Sequence, residues 1–326
     1  MNRSSRRQFL ARGALLAAAA AGVPLAARAA GTPAPPPGKP LRKLLDIGPG
    51  GVIAPGSAQD LRVAGNAGYF AETGTRWIRM WADWPSLQPD GDHAPGEPLN
   101  AGHWKLRALD EQIALANALG IRVLLMPYRF PRWANGTEDL DPRDGGKAPE
   151  YRLPADAYGP QSAWAGFFAF LHDRYHAGRE TGPRVDGFEL VNEPNLQLWP
   201  QAGIAREIAR LLKTAQDVSA RNAHSTMLYA PSISDDDAPT SERYTRWDEF
   251  VPAFLDELEA IGYLPHSGQA WSHHNYTDVE RRQTRTRSQA IRALLKGRWG
   301  GYVEGEAPTV FVTEGGARLS RMPDLY

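Results

Sequence analysis

The 326-residue chain has 37 basic and 37 acidic residues, 42% hydrophobic residues, ten Trp and eleven Tyr, a globular composition with room for one large domain. It contains no cysteine, which excludes disulfides, thiolate zinc sites and cysteine nucleophiles.

The N-terminus reads as a twin-arginine signal peptide over residues 1–29. Ser5-Arg6-Arg7-Gln8-Phe9-Leu10 carries the arginine pair, an apolar run follows from Ala14 to Pro24, and Ala27-Arg28-Ala29 is a small-x-small cleavage site. The run is too short for a stable span, so export to the periplasm or beyond is expected, with no membrane insertion once the signal is removed. That segment holds Arg3, Arg6, Arg7, Arg12 and Arg28 and no acid, leaving a body with 32 basic and 37 acidic residues and a formal charge of −5. A mildly acidic body argues against nucleic acid or anionic lipid as a partner and is compatible with a neutral substrate. Residues 30–41 form a proline-rich linker.

From 42 to 326 short apolar runs alternate with segments of helical period. The expected strands are Lys43–Ile47, Arg76–Trp81, Ile121–Pro127, Val185–Asn192, Thr226–Ala230, Gln269–His274 and Thr309–Glu314. Leu106, Leu109, Ile113 and Ala116 share one helical face, with Gly120 placed to end the helix. Ile204, Ile208, Leu211, Ala215 and Val218 share a second face, and Phe254, Leu255, Leu258 and Ile261 a third. This alternation means a parallel sheet with helical crossovers. Seven such units favour a (β/α)8 TIM barrel over a doubly wound sheet. No Gly-x-Gly-x-x-Gly follows the first strand, and Gly48-Pro49-Gly50-Gly51 reads as a turn. The irregular stretch Phe130–Pro160 is expected to shape a binding site. After Glu314 twelve residues remain, too few for a helix, a strand and a final helix, so the chain as given is expected to lack the eighth unit, its C-terminus truncated or its barrel incomplete.

Two expected strands end in glutamate: Phe188-Glu189-Leu190-Val191-Asn192-Glu193-Pro194 and Val310-Phe311-Val312-Thr313-Glu314-Gly315-Gly316. Function in this fold gathers at the carboxyl ends of strands. A lone Glu there reads as a salt-bridge partner, but two on one barrel face form the pair that glycosidic bond cleavage requires.

Asn192-Glu193-Pro194 ending strand four, with Glu314 ending strand seven, resembles clan A of the glycoside hydrolases. FELVNEPN and VFVTEGG are most similar to families 39 and 5, and the resemblance covers roughly residues 43–317. It implies a retaining O-glycosyl hydrolase of β-linked polysaccharides or glycosides, with Glu193 as acid/base and Glu314 as nucleophile. It further implies Arg79 near the nucleophile, Asn192 on the sugar 2-hydroxyl, His274 lining the pocket and Tyr276 bonded to the nucleophile. A bulge could exchange His273 for His274. The chain departs from the pattern at strand three, where Met126-Pro127-Tyr128-Arg129 replaces a His, and in lacking the Trp of strand eight. Trp81, Trp84, Trp133 and Trp199 follow strand ends, where their faces could stack on sugar rings or pack the rim.

His172 and His176 have metal-ligand spacing but no accompanying Glu, and Asp173 and Arg174 between them read as a solvated helix face; no metal or cofactor is expected. Asp235-Asp236-Asp237 reads as a solvated turn. No Gly-x-Ser-x-Gly elbow is present. The rival reading is a non-catalytic glycan-binding or scaffold protein on a degenerate barrel. No motif speaks to the oligomeric state.

Overall fold

β-branched and aromatic runs place seven parallel strands among the described residues of a computed structural model. It describes residues 44–47, 61–62, 66–72, 74–89, 106–138, 149–153, 158–196, 198–221, 226–265, 269–283, 286–300 and 309–314. The signal and linker expected over 1–41 lie outside these residues, as does everything after Glu314.

The strands are β1 (Leu44–Ile47), β2 (Trp77–Asp83), β3 (Arg122–Tyr128), β4 (Gly187–Glu189), β5 (Met227–Tyr229), β6 (Gln269–His274) and β7 (Val310–Glu314). Each pairs in parallel with the next, in chain order. The order has no reversal, so the sheet has no doubly wound switch point. It curls instead. Cα atoms of β7 come within 8 Å of those of β1, giving a partial (β/α)8 barrel.

Nine helices of the described residues follow: α1 (Asn66–Glu72), α2 (Trp84–Leu87), α3 (Arg107–Ala118), α4 (Arg132–Asn135), α5 (Ala163–Tyr175), α6 (Ile204–Arg221), α7 (Trp247–Ala260), α8 (Tyr276–Glu280) and α9 (Thr286–Trp299). The three apolar stripes read from the sequence fall on α3, α6 and α7, and their members Ile113, Leu211 and Phe254 are buried. Ser162 caps α5, its hydroxyl accepting from the Ala165 N–H at 3.1 Å. No helix of the described residues is long and apolar enough to cross a membrane.

Strand alternation splits the core in two. On β2, Ile78, Met80 and Ala82 face the helices, while Trp77, Arg79 and Trp81 do not join that layer. On β3, Val123 and Leu125 face the helices and Leu124 and Met126 the interior. Trp77, Leu124, Tyr229 and Ala270 fill the interior together, drawn from β2, β3, β5 and β6. A polar layer lies between this plug and the strand ends, because Arg79 and Glu189 occupy the next inward positions.

The plug constrains β4. A Cβ on Gly187 would lie 2.6 Å from Tyr229 Cε2 and 3.2 Å from the Met227 carbonyl oxygen. Gly187→Ala is expected to lower stability by about 1–3 kcal/mol through overpacking, read as a lower urea midpoint with an unchanged slope.

Candidate active site

The site grows upward from Arg79. Its side chain is fully buried, so each guanidinium nitrogen must find an acceptor. Nε bonds Glu189 and Nη1 bonds Glu314. Nη2 reaches Asn192 Oδ1 at 2.8 Å, Ser232 Oγ at 3.1 Å and Met126 Sδ at 2.9 Å. Glu189 is itself buried and accepts from Thr313 Oγ1 at 2.9 Å. One cation therefore ties β2, β3, β4, the segment after β5, and β7.

Glu193 stands beyond the end of β4 in an unusual backbone state, with φ 44°. That left-handed region costs a non-glycine residue energy and persists only where the surroundings impose it. Here the Glu193 N–H donates to the Ser232 carbonyl at 2.9 Å, and its own carbonyl accepts from Leu196 N–H at 3.0 Å. The Trp199 indole N–H holds the Asn192 carbonyl at 2.9 Å.

A bulge sits where β6 meets β7. His273 faces Val312, but His274 faces Glu314, leaving Thr313 as the extra residue. Two successive side chains of β7 consequently reach the buried network, Thr313 at Glu189 and Glu314 at Arg79. His274, rather than His273, faces the carboxylates. Its Nδ1 is 2.9 Å from Glu193 Oε1 and its Nε2 is 3.6 Å from Glu314 Oε1. Tyr276, at the start of α8, donates its hydroxyl to Glu314 Oε2 at 2.9 Å. Ligand atoms of Glu193, His274 and Glu314 all lie within 4.8 Å of one another.

These neighbours set the charge states. Burial pushes the Glu193 carboxyl up, but the His274 hydrogen bond and the charges of His274 and Arg79 outweigh it and hold Glu193 below the ordinary glutamate value. A carboxylate at Glu193 accepts, so Nδ1 of His274 carries the hydrogen. On the other side of β6, burial first and the neighbouring His274 second push His273 down to about 3, keeping that imidazole neutral.

The tryptophans divide. Trp81 lies edge-on to Tyr128 with ring centroids 4.0 Å apart, and Arg79 sits 5.8 Å from its ring. Trp81, Met126 and Tyr128 form a small cluster of their own beside the guanidinium. Trp133, on α4, packs against Trp84 and gives its indole N–H to the Gln88 carbonyl at 3.1 Å. Trp84 and Trp199 are fully buried, so their faces serve packing. At the strand-three position that departs from the pattern, Arg129 grips Asp83 with two bonds of 2.6 Å.

The solvated reading of the Asp235 turn is corrected. Asp235 is buried and accepts from the Thr277 and Asp278 N–H groups at 3.0 and 3.1 Å, anchoring the start of α8. Asp237 pairs with Arg281 and Arg287. His172 is buried too, stacked on Phe188 with ring centroids 5.7 Å apart. Glu189, Thr313 and Ser232 were not singled out from the sequence. A second Glu four residues before Glu193 was the available signal for the first of them.

No protein-family profile matches this sequence, and no curated protein matches it. Solved structures do resemble the fold. A glucosidase from Croceicoccus marinus aligns over 76% of this chain and 46% of its own, with 14% identity and a TM-score of 0.49. A family 39 glycoside hydrolase from Bacteroides cellulosilyticus WH2 aligns over 78% and 46%, with 15% identity and a TM-score of 0.44. The endoglucanase Cel5A of Pseudomonas stutzeri, in complex with cellobiose, aligns over 83% and 82%, with 16% identity and a TM-score of 0.39. The chain thus spans about half the length of the first two.

The His274 bond generates a measurable shift. Glu193 ionises more readily folded than unfolded, so the interaction stabilises the fold above the ordinary value of 4.5 and is lost as pH falls through the depressed one. His274→Phe removes the lowering partner while burial remains, so the Glu193 midpoint is expected to rise. A carboxyl carbon-13 titration, with Glu193 assigned by loss of its signal in Glu193→Gln, reads this directly. An unmoved midpoint would show that His274 does not set it.

Proposed function

We propose that the chain is a retaining glycoside hydrolase with Glu314 as nucleophile and Glu193 as acid/base. The observation that carries this reading is the separation of the two carboxylates, whose ligand atoms lie within 4.8 Å. Retaining glycosidases hold their carboxyl groups about 5–5.5 Å apart, whereas inverting ones need about 6.5–9.5 Å to admit a water.

The division of roles follows from the neighbours. Glu314 receives Arg79 on one oxygen and Tyr276 on the other. Both stabilise the ionised form and fix the oxygen that would attack the anomeric carbon. Glu193 has His274 at 2.9 Å and Asn192 Nδ2 at 3.5 Å. It protonates the departing glycosidic oxygen and later takes a proton from the water that releases the sugar from Glu314. In the free protein Glu193 is held ionised, so it takes up a proton from solvent before it protonates the departing oxygen, with the His274 N–H holding the carboxyl in place.

Asn192 binds the 2-hydroxyl of the sugar in this reading. Its Oδ1 is taken by Arg79, so its amide N–H groups face that hydroxyl as donors. Trp81 and Tyr128 supply an aromatic wall beside the nucleophile's guanidinium. The substrate class is a β-linked polysaccharide or glycoside, as the resemblance of Asn192-Glu193-Pro194 and Glu314 to clan A implies.

Incubation with activated 2-fluoro glycosides of several sugars is expected to add one glycosyl group per chain, mapped to Glu314 by peptide mass spectrometry. Absence of any adduct across the set would sink the assignment. Glu193→Ala is expected to lower kcat/KM for poor leaving groups by about 10²–10⁴-fold. Azide should restore turnover of substrates with good leaving groups, and failure of that rescue would remove Glu193 from the acid/base role.

A further inference from the structure

Tyr276 reaches Glu314 from a helix too short to hold itself. α8 has five residues, and helices below about 12 residues are marginal unless their surroundings support them. Asn275, at its N-cap, makes no side-chain capping bond. The Tyr276 residue is 39% exposed, so its place depends more on the backbone beneath it than on packing around the ring.

That backbone is held from the segment after β5. Asp235 Oδ1 accepts from the Thr277 N–H at 3.0 Å, and Oδ2 accepts from the Asp278 N–H at 3.1 Å. A carboxylate from another strand thus supplies the bonds that an N-cap side chain ordinarily makes. Asp235 stands on fixed ground. The Ile233 carbonyl accepts from the His274 N–H at 2.9 Å. Asn195, two residues past Glu193, bonds both the N–H and the carbonyl of Ser234, at 3.0 and 3.1 Å. The same segment holds the far end of α8. Asp237 pairs with Arg281, which closes that helix, at 2.5 Å, and with Arg287 on α9. Arg287 in turn binds Asp278, through its backbone N–H at 3.0 Å and its Nη1 at 2.5 Å.

We propose that Asp235 is a positioning residue which, with Asp237, clamps α8 and so keeps the Tyr276 hydroxyl on Glu314 Oε2. The bond it maintains is 2.9 Å long. Asp235 acts through the backbone of α8 and through Tyr276, so its effect on Glu314 vanishes when the Tyr276 hydroxyl is removed. A consequence for turnover rests on the glycosidase reading above; the clamp itself does not.

The test follows the Glu314 carboxyl by carbon-13 titration of the full chain, with the signal assigned by its loss in Glu314→Gln. Tyr276→Phe removes a donor to the carboxylate and is expected to raise the Glu314 midpoint by about one pH unit. Asp235→Asn keeps the shape of the side chain but sets an amide NH2 against one of the two backbone donors. It is expected to raise the midpoint by about half a unit, with circular dichroism unchanged. The double variant should match Tyr276→Phe alone, a non-additivity that general loosening of the fold does not produce. An unmoved midpoint in Asp235→Asn or in Tyr276→Phe would overturn the proposal, as would a double variant whose shift is the sum of the two. If Asp235→Asn fails to fold, Asp237→Asn, at the more open end of the clamp, is judged by the same three outcomes. Midpoints that move as expected in a chain that forms no 2-fluoro adduct would leave the clamp standing and remove the glycosidase reading. An adduct with unmoved midpoints would do the reverse.

Discussion

Arg79 carries a full positive charge into a place water does not reach, and the rest of the site is built around meeting that charge. An isolated buried guanidinium would cost several kcal/mol. Glu189 and Glu314 supply two charged acceptors, and Asn192 and Ser232 supply neutral ones. The acceptors come from different strands or the segments that leave them. Satisfying one side chain therefore fixes the relative heights of the strand ends, and with them the spacing of the Glu193 and Glu314 carboxylates.

Local departures from ideal geometry follow from the same demand. Regular alternation on β7 would send Thr313 and Glu314 to opposite faces. The bulge against His274 brings both to the buried charges, one supporting Glu189 and the other contacting Arg79. Glu193 adopts its left-handed backbone because its N–H is drawn to Ser232, whose hydroxyl also serves Arg79. Strain and irregularity sit here rather than in the apolar plug below, as expected where placement of polar groups overrides backbone preference.

His274 joins the two carboxylates electrostatically. Its single ring spans Glu193 and Glu314, so neither acid has an environment independent of the other. The ring on β6 helps hold Glu193 below the ordinary glutamate value. Asp235 accepts from two N–H groups at the start of α8, the helix that bears Tyr276, the hydroxyl partner of Glu314.

The sequence by itself determined the seven-strand order, the three amphipathic helices and the carboxylates at the ends of strands four and seven. Those features are local: a period of two or 3.6 residues, or a polar residue closing an apolar run, is written in consecutive positions. Arg79, Asn192, His274 and Tyr276 came instead through the resemblance of their strand-end segments to clan A. Only the tertiary structure decided that Glu189 and Thr313 belong to the same network, that Asp235 and His172 are buried, and that Trp84 and Trp199 serve the core. Each of these depends on which distant segment lies opposite. The partners of Arg79 are between 47 and 235 residues away along the chain, and a charge's acceptors at such separations are set by how the sheet curls.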